Sequence, residues 1–229
     1  MKIGFTGIEL PEGKVKYKDS RMDILVEKHQ PKKITPFYVE FIKDEFTKSE
    51  AIVIPENHAL DLLILDIEKC ETRLERCETE EEKILMRKCL EYLEKEVPLC
   101  DGDFSASEHE QLKRFAPTSY KPVALADSAS SENEIIRQTL IKANIIFFYT
   151  AGPKEVHAWP VEKNSDIVTC AGKIHTDLAR GFIKGDVVSF DDYTQCHNFN
   201  DGKKKGLVKV VERDYIIQDG DIIEIRFGV

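Results

Sequence analysis

The sequence predicts an α/β core that is interrupted by two long helices and followed by a small α+β unit. Apolar runs bounded by Gly, Pro and polar residues have the length of buried parallel strands; they lie at residues 2–7, 38–42, 51–54 and 122–126. Residues 58–115 are almost free of Gly and Pro, which favours helices. From residue 145 onward, short strands alternate with turns. We therefore expect a four-stranded sheet, a helical insertion and a separate C-terminal fold.

The composition places the chain among folded globular proteins. Charged residues make up 33% and hydrophobic residues 41% of the 229 positions. The net charge of -9 argues against wholesale wrapping by nucleic acid, because a phosphate backbone favours a basic surface. No stretch has the pattern of a signal peptide or a membrane span, so we expect a cytoplasmic location and no membrane partner. The six cysteines form no Cys-x-x-Cys pair, which favours reduced thiols over a zinc site.

The helical insertion has the periodicity of two helices that pack along a common seam. Thr79 follows a polar turn and is a candidate cap for the second helix, which Pro98 ends. The pattern predicts an antiparallel helical hairpin of the coiled-coil type. Its apolar positions recur at intervals of three and four residues: Ile67, Cys70, Leu74 and Cys77 in the first helix, and Leu85, Cys89, Leu93 and Val97 in the second.

Two further helices are predicted beside the core strands. Residues 19–29 form a short helix with Asp19 or Ser20 as its cap, and residues 128–144 form a helix capped by Ser130 or Ser131. Beyond them, Asp219-Gly220 has the chemistry of a tight turn. The C-terminal pattern predicts strands at residues 145–150, 155–160, 187–189, 208–211 and 222–227, with a helical turn at 176–180.

Specific segments of the C-terminal part resemble a known family. Residues 148–159 read Phe-Tyr-Thr-Ala-Gly-Pro-Lys-Glu-Val-His-Ala-Trp, and residues 171–177 read Ala-Gly-Lys-Ile-His-Thr-Asp. With Gly181-Phe182-Ile183 and residues 218–227, they closely resemble the C-terminal TGS domain of the Obg-like (YchF-type) ATPases. The resemblance implies a ubiquitin-like β-grasp fold for residues 144–229, which we expect to fold on their own.

The resemblance continues upstream in the same order, with deletions. It is carried by residues 19–23, 31–33, 39–41, 66–76 and 121–123. It implies that residues 1–57 and 116–143 form a degenerate nucleotide-binding α/β core, a remnant of a P-loop-type domain. Residues 58–115 correspond to a helical hairpin inserted into that core.

The phosphate-binding loop of such a core is altered. A working loop reads Gly-x-x-x-x-Gly-Lys-Ser/Thr, because backbone N–H groups at a helix N-terminus hold the phosphates and the hydroxyl holds magnesium. Here five residues separate Gly7 from Gly13, and Val15 follows Lys14 where the hydroxyl is required. Gly7, Gly13 and Lys14 are therefore at most a weak nucleotide-binding relic, and a surface turn is the simpler interpretation.

Two other nucleotide contacts of the family are also replaced. After Phe41 an Asp-x-x-Gly motif is expected, but residues 42–46 read Ile-Lys-Asp-Glu-Phe. The base-recognition motif after the later strand is replaced by residues 124–128, Ala-Leu-Ala-Asp-Ser. We expect that binding of ATP or GTP and magnesium is lost, that there is no catalytic or metal site, and that the protein is not an enzyme.

Basic residues of the C-terminal part are the candidates for RNA contact. Lys203, Lys204 and Lys205 lie between Gly202 and Gly206, where a solvated hairpin tip is the alternative interpretation. The other candidates are Lys173, Arg180 and Lys184. His175 and Asp177 resemble an acid–base pair, but no nucleophile accompanies them and a structural role is favoured. Trp159 is interpreted as core rather than as a base-stacking platform.

Three functions remain open at this point. The first is a non-catalytic binding module that contacts RNA or the ribosome, or a protein partner, through the TGS domain and the helical hairpin. The second is a residual ATP or GTP phosphohydrolase with a non-standard phosphate loop. The third is a protein-interaction scaffold that acts through the hairpin. The altered phosphate loop favours the first over the second, and nothing in the sequence separates RNA from protein as the partner.

Overall fold

The computed structural model describes residues 1–127 and 129–228 and divides into two compact units. The first unit contains Met1–Val15 and Tyr38–Ala143, and the second contains Lys16–Phe37 and Asn144–Val229. The predicted limits had placed residues 1–57 in one core. The structure instead groups residues 16–37 with the C-terminal residues.

Regular elements account for most of the described chain. The strands are β1 (Lys2–Phe5), β2 (Gly13–Lys16), β3 (Lys33–Thr35), β4 (Tyr38–Lys43), β5 (Ala51–Pro55), β6 (Val123–Ala126), β7 (Ile145–Ala151), β8 (Glu155–Glu162), β9 (Phe182–Val188), β10 (Lys209–Val211) and β11 (Ile222–Phe227). The helices are α1 (Ser20–His29), α2 (Ala59–Arg76), α3 (Glu80–Glu94), α4 (Ala106–Phe115), α5 (Glu132–Lys142), α6 (Ile167–Ile174), α7 (Thr176–Arg180), α8 (Phe190–Thr194) and α9 (Phe199–Lys204).

The first unit is built on a five-stranded sheet in the order β2-β4-β1-β5-β6 across its described residues. Strands β4, β1, β5 and β6 are parallel, and β5 is buried along its whole length. The four predicted strands are confirmed, but the sheet has five strands and not the expected four. Gly13 and Lys14, for which a surface turn was the simpler interpretation, belong to β2, which lies at the sheet edge and is too short to give an apolar pattern.

Helices α2 and α3 pack against each other within the first unit. The predicted seam residues Cys70, Leu85, Cys89 and Leu93 are buried in one cluster, which also includes Leu112 of α4. Thr79 caps α3, since its side chain accepts a hydrogen bond from the Glu82 N–H at 3.3 Å. Ser131 caps α5, as one of its two predicted alternatives. Ser128, the predicted start of that helix, lies outside the described residues.

The second unit is built on a mixed sheet in which the described strands follow the order β10-β9-β11-β7-β8-β3. Strands β7 and β8 form an antiparallel pair, and β3 adds to β8 in parallel. Its core includes Phe148, Ile167, Cys170, Val187 and Ile223. Helices α6, α8 and α9 were not predicted, because helices of five to eight residues are too short to show a period.

Candidate functional site

The carboxyl end of β1 is the position at which a parallel α/β sheet of this order would bind a ligand. Gly7 follows β1 with φ 68°, a left-handed conformation that glycine adopts without strain. A Cβ atom at Gly7 would lie 3.1 Å from Cδ2 of His58, so the imidazole packs directly on this turn. The Nδ1 atom of His58 is 3.1 Å from Oδ2 of Asp61. The end of β1 is thus covered by a side chain of the first unit.

The other two residues of the predicted nucleotide relic lie in a strand. Gly13 begins β2 with φ 101°, and Lys14 is the exposed second residue of that strand. The next helix along the chain is α1, which starts at Ser20 and belongs to the second unit. Gly13 and Lys14 therefore do not stand at a helix N-terminus, where backbone N–H groups would converge on a phosphate.

A short connection crosses the first sheet where the second nucleotide motif was expected. Residues 44–50 join β4 to β5, although the two strands are both parallel to β1 and such a crossover usually takes a dozen residues. It passes over Gly4, where a Cβ atom would lie 2.9 Å from Oγ of Ser49. The ammonium group of Lys121 donates to the carbonyl oxygens of Phe46 and Ser49 at 2.6 and 2.8 Å. This tether fixes the connection against the sheet.

The first unit also contains an open cleft of ≈ 670 Å³ beside α2. Lys69, Arg73 and Arg76 supply its positive charge from successive turns of the helix. Lys69 is 3.4 Å from the buried Asp66, and Arg73 is 2.5 Å from Glu82. Two of the three cations are therefore already paired with carboxylates.

The basic candidates of the second unit differ in how they are partnered. Lys203 is 2.8 Å from Asp186, Lys205 is 2.9 Å from Asp201, and Lys184 is 2.9 Å from Glu212. The Arg180 side chain is 85% exposed, and its contact with Asp177 is long, at 4.0 Å. Lys173 and Lys204 are exposed and make no ion pair within the described part of the chain. The structure therefore leaves Lys173, Arg180 and Lys204 as the candidates most accessible to an anion.

The lysine run is a helix end and not the hairpin tip of the alternative interpretation. Lys203 and Lys204 form the last turn of α9, and Gly202 is buried against Val208 and Cys196. The sequence interpretation took Gly202 as a turn residue, but here the missing side chain permits close packing.

Asp186 is the centre of a charge network on the second sheet. Its carboxylate is buried and accepts hydrogen bonds from Nε and Nη2 of Arg226 at 3.0 and 2.5 Å. Lys203 completes the network at 2.8 Å. Burial opposes the charged form, but the bonds from Arg226 and Lys203 outweigh it and hold the pKa of Asp186 below its usual value. Lys203 thus neutralises a buried carboxylate.

The histidine and tryptophan singled out in the sequence have structural contacts. Nδ1 of His175 accepts a hydrogen bond from the Asp177 N–H at 3.2 Å and so caps α7. Trp159 stacks on Phe148 with ring centroids 6.2 Å apart and packs against the core of the second unit. Both placements agree with the structural interpretations of these residues.

The structure adds a buried polar network that the sequence analysis missed. Oδ1 of Asp19 accepts from the Arg21 N–H and Nε, and Arg21 Nη1 donates to Asp219 at 2.8 Å. The Tyr149 hydroxyl donates to the other oxygen of Asp19. Burial, together with the Asp19 carboxylate, raises the pKa of Tyr149 and keeps the phenol protonated. Tyr149 and Asp219 are far from Asp19 and Arg21 in the chain, so no local pattern reveals the network.

Comparison with known proteins shows what the C-terminal part is similar to. The two sheets define a two-unit protein of mixed α/β structure. Residues 145–228 match a family model described as YchF-GTPase_C, protein of unknown function (DUF933). The ribosome-binding ATPase YchF of Mycoplasma genitalium is 37% identical over 100 residues, which are 44% of this chain and 27% of that protein. Obg-like ATPase 1 of Danio rerio is 40% identical over 95 residues, or 42% of this chain and 24% of that protein.

A longer match and a solved structure add to this comparison. The ribosome-binding ATPase YchF of Escherichia coli O157:H7 is 36% identical over 136 residues, which are 58% of this chain and 36% of that protein. The chain thus spans about a quarter to a third of the curated relatives it matches. The Schizosaccharomyces pombe YchF GTPase structure superposes with a TM-score of 0.77 at 18% identity, covering 99% of this chain and 97% of that one. The C-terminal part is related to YchF and Obg-like ATPases. The chain as a whole shares the fold of the Schizosaccharomyces pombe structure.

Two further findings concern metal and membrane. Within residues 1–127 and 129–228, no group of three or more His, Cys, Asp or Glu side chains is arranged to hold a metal ion. None of the helices in the same residues is long and apolar enough to span a bilayer. The cysteines are free thiols, and Cys70, Cys77, Cys89, Cys170 and Cys196 are buried.

Proposed function

We propose that this chain is a non-catalytic binding protein that derives from an Obg-like ATPase and contacts the ribosome. In this proposal residues 144–229 are a TGS domain of the β-grasp type, and α2 and α3 are the helical hairpin. Both take part in binding. The observation that carries the proposal is the path of the chain after β1, which leads into an edge strand and not into a helix.

The end of β1 supports the absence of nucleotide hydrolysis. Phosphoryl transfer relies on a phosphate cradle of backbone N–H groups and on magnesium held by a hydroxyl and a carboxylate. In this chain His58 packs on Gly7, Gly13 and Lys14 belong to β2, and Val15 follows without a hydroxyl. In this proposal the residues at the end of β1 hold no magnesium–nucleotide complex.

The connection between β4 and β5 gives independent support. A magnesium-binding Asp-x-x-Gly loop must move with the state of the γ-phosphate. Here Lys121 ties the connection down through three carbonyl oxygens, and Ser49 is in contact with Gly4. A segment fixed in this way suits a structural role better than a nucleotide switch.

The C-terminal part supports the choice of the ribosome as partner. It is the region related to proteins that are named ribosome-binding ATPases. Lys173, Arg180 and Lys204 present exposed cations on this unit, and cations of this kind form phosphate contacts independent of RNA sequence. A protein component of the ribosome is also compatible with the proposal.

Ribosome co-sedimentation at several salt concentrations tests the binding site. The triple variant Lys173→Ala/Arg180→Ala/Lys204→Ala should bind more weakly, with the slope of log affinity against log salt reduced by up to about three phosphate contacts. The matched control changes three exposed lysines outside the C-terminal part and the hairpin, Lys2, Lys14 and Lys43. Equal losses in both variants would show a nonspecific charge effect. Absence of ribosome binding by the parent would favour the scaffold hypothesis.

Titration with nucleotides separates the proposal from the residual phosphohydrolase. We expect no saturable binding of ATP or GTP at micromolar concentration in the presence of magnesium. Tight, magnesium-dependent binding accompanied by turnover would contradict the non-catalytic assignment. The two experiments are independent, because loss of hydrolysis does not require loss of ribosome binding.

A further inference from the structure

Strand β11 has a neighbour on both sides along only part of its length. It pairs with β7 at a single position, Ile222 with Tyr149, and β7 ends at Ala151. On its other side β11 stays paired with β9 as far as Phe227. Among the described residues, positions 224–227 therefore have a strand partner on the β9 side only.

Some backbone hydrogen-bonding groups of residues 224–227 point to the side of β11 on which β7 has ended. The carbonyl oxygen of Asp221 accepts from the Tyr149 N–H at 2.8 Å, so this residue points toward β7. Because backbone groups alternate along a strand, Ile223 and Ile225 present theirs to the same side. Past the end of β7, the N–H and C=O of Ile225 lie on the side where the described residues provide no strand partner. An open row of this kind is a template for an additional strand.

A groove with an apolar lining runs beside the open segment. It has a volume of ≈ 620 Å³ and lies between β11 and residues 150–155, which form the β7–β8 turn. Phe227 is 48% exposed, which is unusual for an aromatic ring at the end of a strand. The apolar side chains that line the groove are Ile174, Leu178, Ile223, Ile225 and Phe227. The groove can accept apolar side chains from alternate positions of an extended chain.

The exposed carboxylate of Glu224 in the open segment favours a basic occupant. The Glu224 side chain is 51% exposed and lies between Ile223 and Ile225 in β11. Its nearest cation, Lys203, is 3.9 Å away and has a closer partner in Asp186 at 2.8 Å. A lysine or arginine opposite Glu224 on an added strand would form an oppositely charged cross-strand pair. The same carboxylate repels a polynucleotide.

We propose that the open half of β11 is a docking site for an extended segment of a partner protein in which apolar residues alternate with lysine or arginine. The segment adds to the sheet beside residues 224–227. Its backbone pairs with Ile225, its apolar side chains enter the groove, and its basic side chain meets Glu224. This proposal rests on the geometry of the second sheet and not on the proposed ribosome contact.

Fluorescence anisotropy with the full chain tests the proposal. The probe is a short labelled peptide that alternates valine and lysine. We expect saturable binding, and at least about a tenfold loss of affinity when the valine–lysine order is scrambled or when alternate backbone nitrogens are methylated. Methylation removes the N–H donors but keeps the side chains and charge. Equal binding of the methylated peptide would overturn strand addition, and so would no binding of the parent peptide.

Variants of the chain locate the site. Phe227→Asp should weaken binding, whereas Val210→Asp, on the exposed far strand β10, should not. Glu224→Lys should weaken binding of the valine–lysine peptide and strengthen binding of a valine–glutamate peptide. Circular dichroism confirms that each variant is folded. Equal effects of Phe227→Asp and Val210→Asp, or no exchange of preference with Glu224→Lys, would contradict the assigned site. Competition by RNA as effective as the unlabelled peptide would overturn a protein segment as the occupant.

Discussion

Arg21 donates a hydrogen bond from Nη1 to the Asp219 carboxylate at 2.8 Å, although 198 positions separate the two residues in the sequence. Asp219 in turn accepts from the Phe147 N–H at 2.9 Å. Arg21 also neutralises Asp19, whose side chain is only 8% exposed. This contact joins the N-terminal segment of the second unit to the turn before β11.

Removal of the Arg21 guanidinium should destabilise the second unit. Arg21→Ala leaves the buried Asp19 without its cation, and we expect a loss of about 2–4 kcal/mol in the free energy of unfolding. Lys113→Ala, which breaks an exposed pair with Glu110, should have a much smaller effect, because solvent screens that pair. Urea denaturation followed by circular dichroism measures both. Similar losses in the two variants would mean that the Arg21 network contributes no more than a surface pair.

The C-terminal residues should need the segment Lys16–Phe37 for full stability. In the structure Met22 and Leu25 are buried in α1, and Tyr17 stacks on Phe147 with centroids 5.7 Å apart. A fragment of residues 144–229 should therefore be less stable, by roughly 3 kcal/mol or more, than the same fragment joined through a linker to residues 16–37. The expectation that residues 144–229 fold on their own would be contradicted if the fragment alone were unfolded. Equal urea midpoints would show that residues 16–37 add no stability.

Lys203 should matter for stability in a way that depends on pH. Lys203→Met should lower the free energy of unfolding by about 1–2 kcal/mol at pH 7, because the buried Asp186 loses one of two cations. Since the pKa of Asp186 is below its usual value in the folded chain, this stabilisation is present above about pH 4 and is lost on further acidification. The difference between parent and variant should therefore narrow in acid. Lys204→Met is the control and should have almost no effect at either pH.

Gly4 should not tolerate a larger side chain. A Cβ atom there would approach Ser49 Oγ to 2.9 Å and the Phe46 ring to 3.1 Å, so Gly4→Ala should cost about 1–3 kcal/mol. Gly152→Ala is a matched control, since nothing lies within 4 Å of the added atom. In a Ser49→Gly background the cost of Gly4→Ala should fall, which a double-mutant cycle detects. An unchanged cost in that background would mean that the crossing segment is not what excludes the side chain.

The sequence predicts well those elements whose signal is local and long. The seam positions of α2 and α3 repeat over many residues, and the buried strand β5 is apolar throughout, so both are visible in the sequence. Caps are similarly local, as Thr79 and Asp19 show. By contrast β2, β3 and α9 have three to six residues each, which is too short for a period to appear.

The candidate site was predicted less completely, since partners distant in sequence determine the role of each charge. Lys203 and Lys204 are neighbours of the same type, yet Lys203 pairs with the buried Asp186 and Lys204 remains exposed. The partner of Lys203 lies on β9, and no pattern around residues 202–206 indicates it. The open edge of β11 likewise follows from where β7 ends, which is a property of strand pairing.

The parallel pairing of β3 with β8 has a consequence for the order of folding. The pair brings Thr35 beside His157, so the second unit draws its strands from distant parts of the chain, with residues 38–143 of the first unit encoded between them. During synthesis residues 16–37 emerge well before their partners and must remain unpaired while the intervening sheet forms. Contacts of such long sequence separation slow folding and expose unpaired strand edges for longer. Premature association with other chains would therefore begin at residues 16–37.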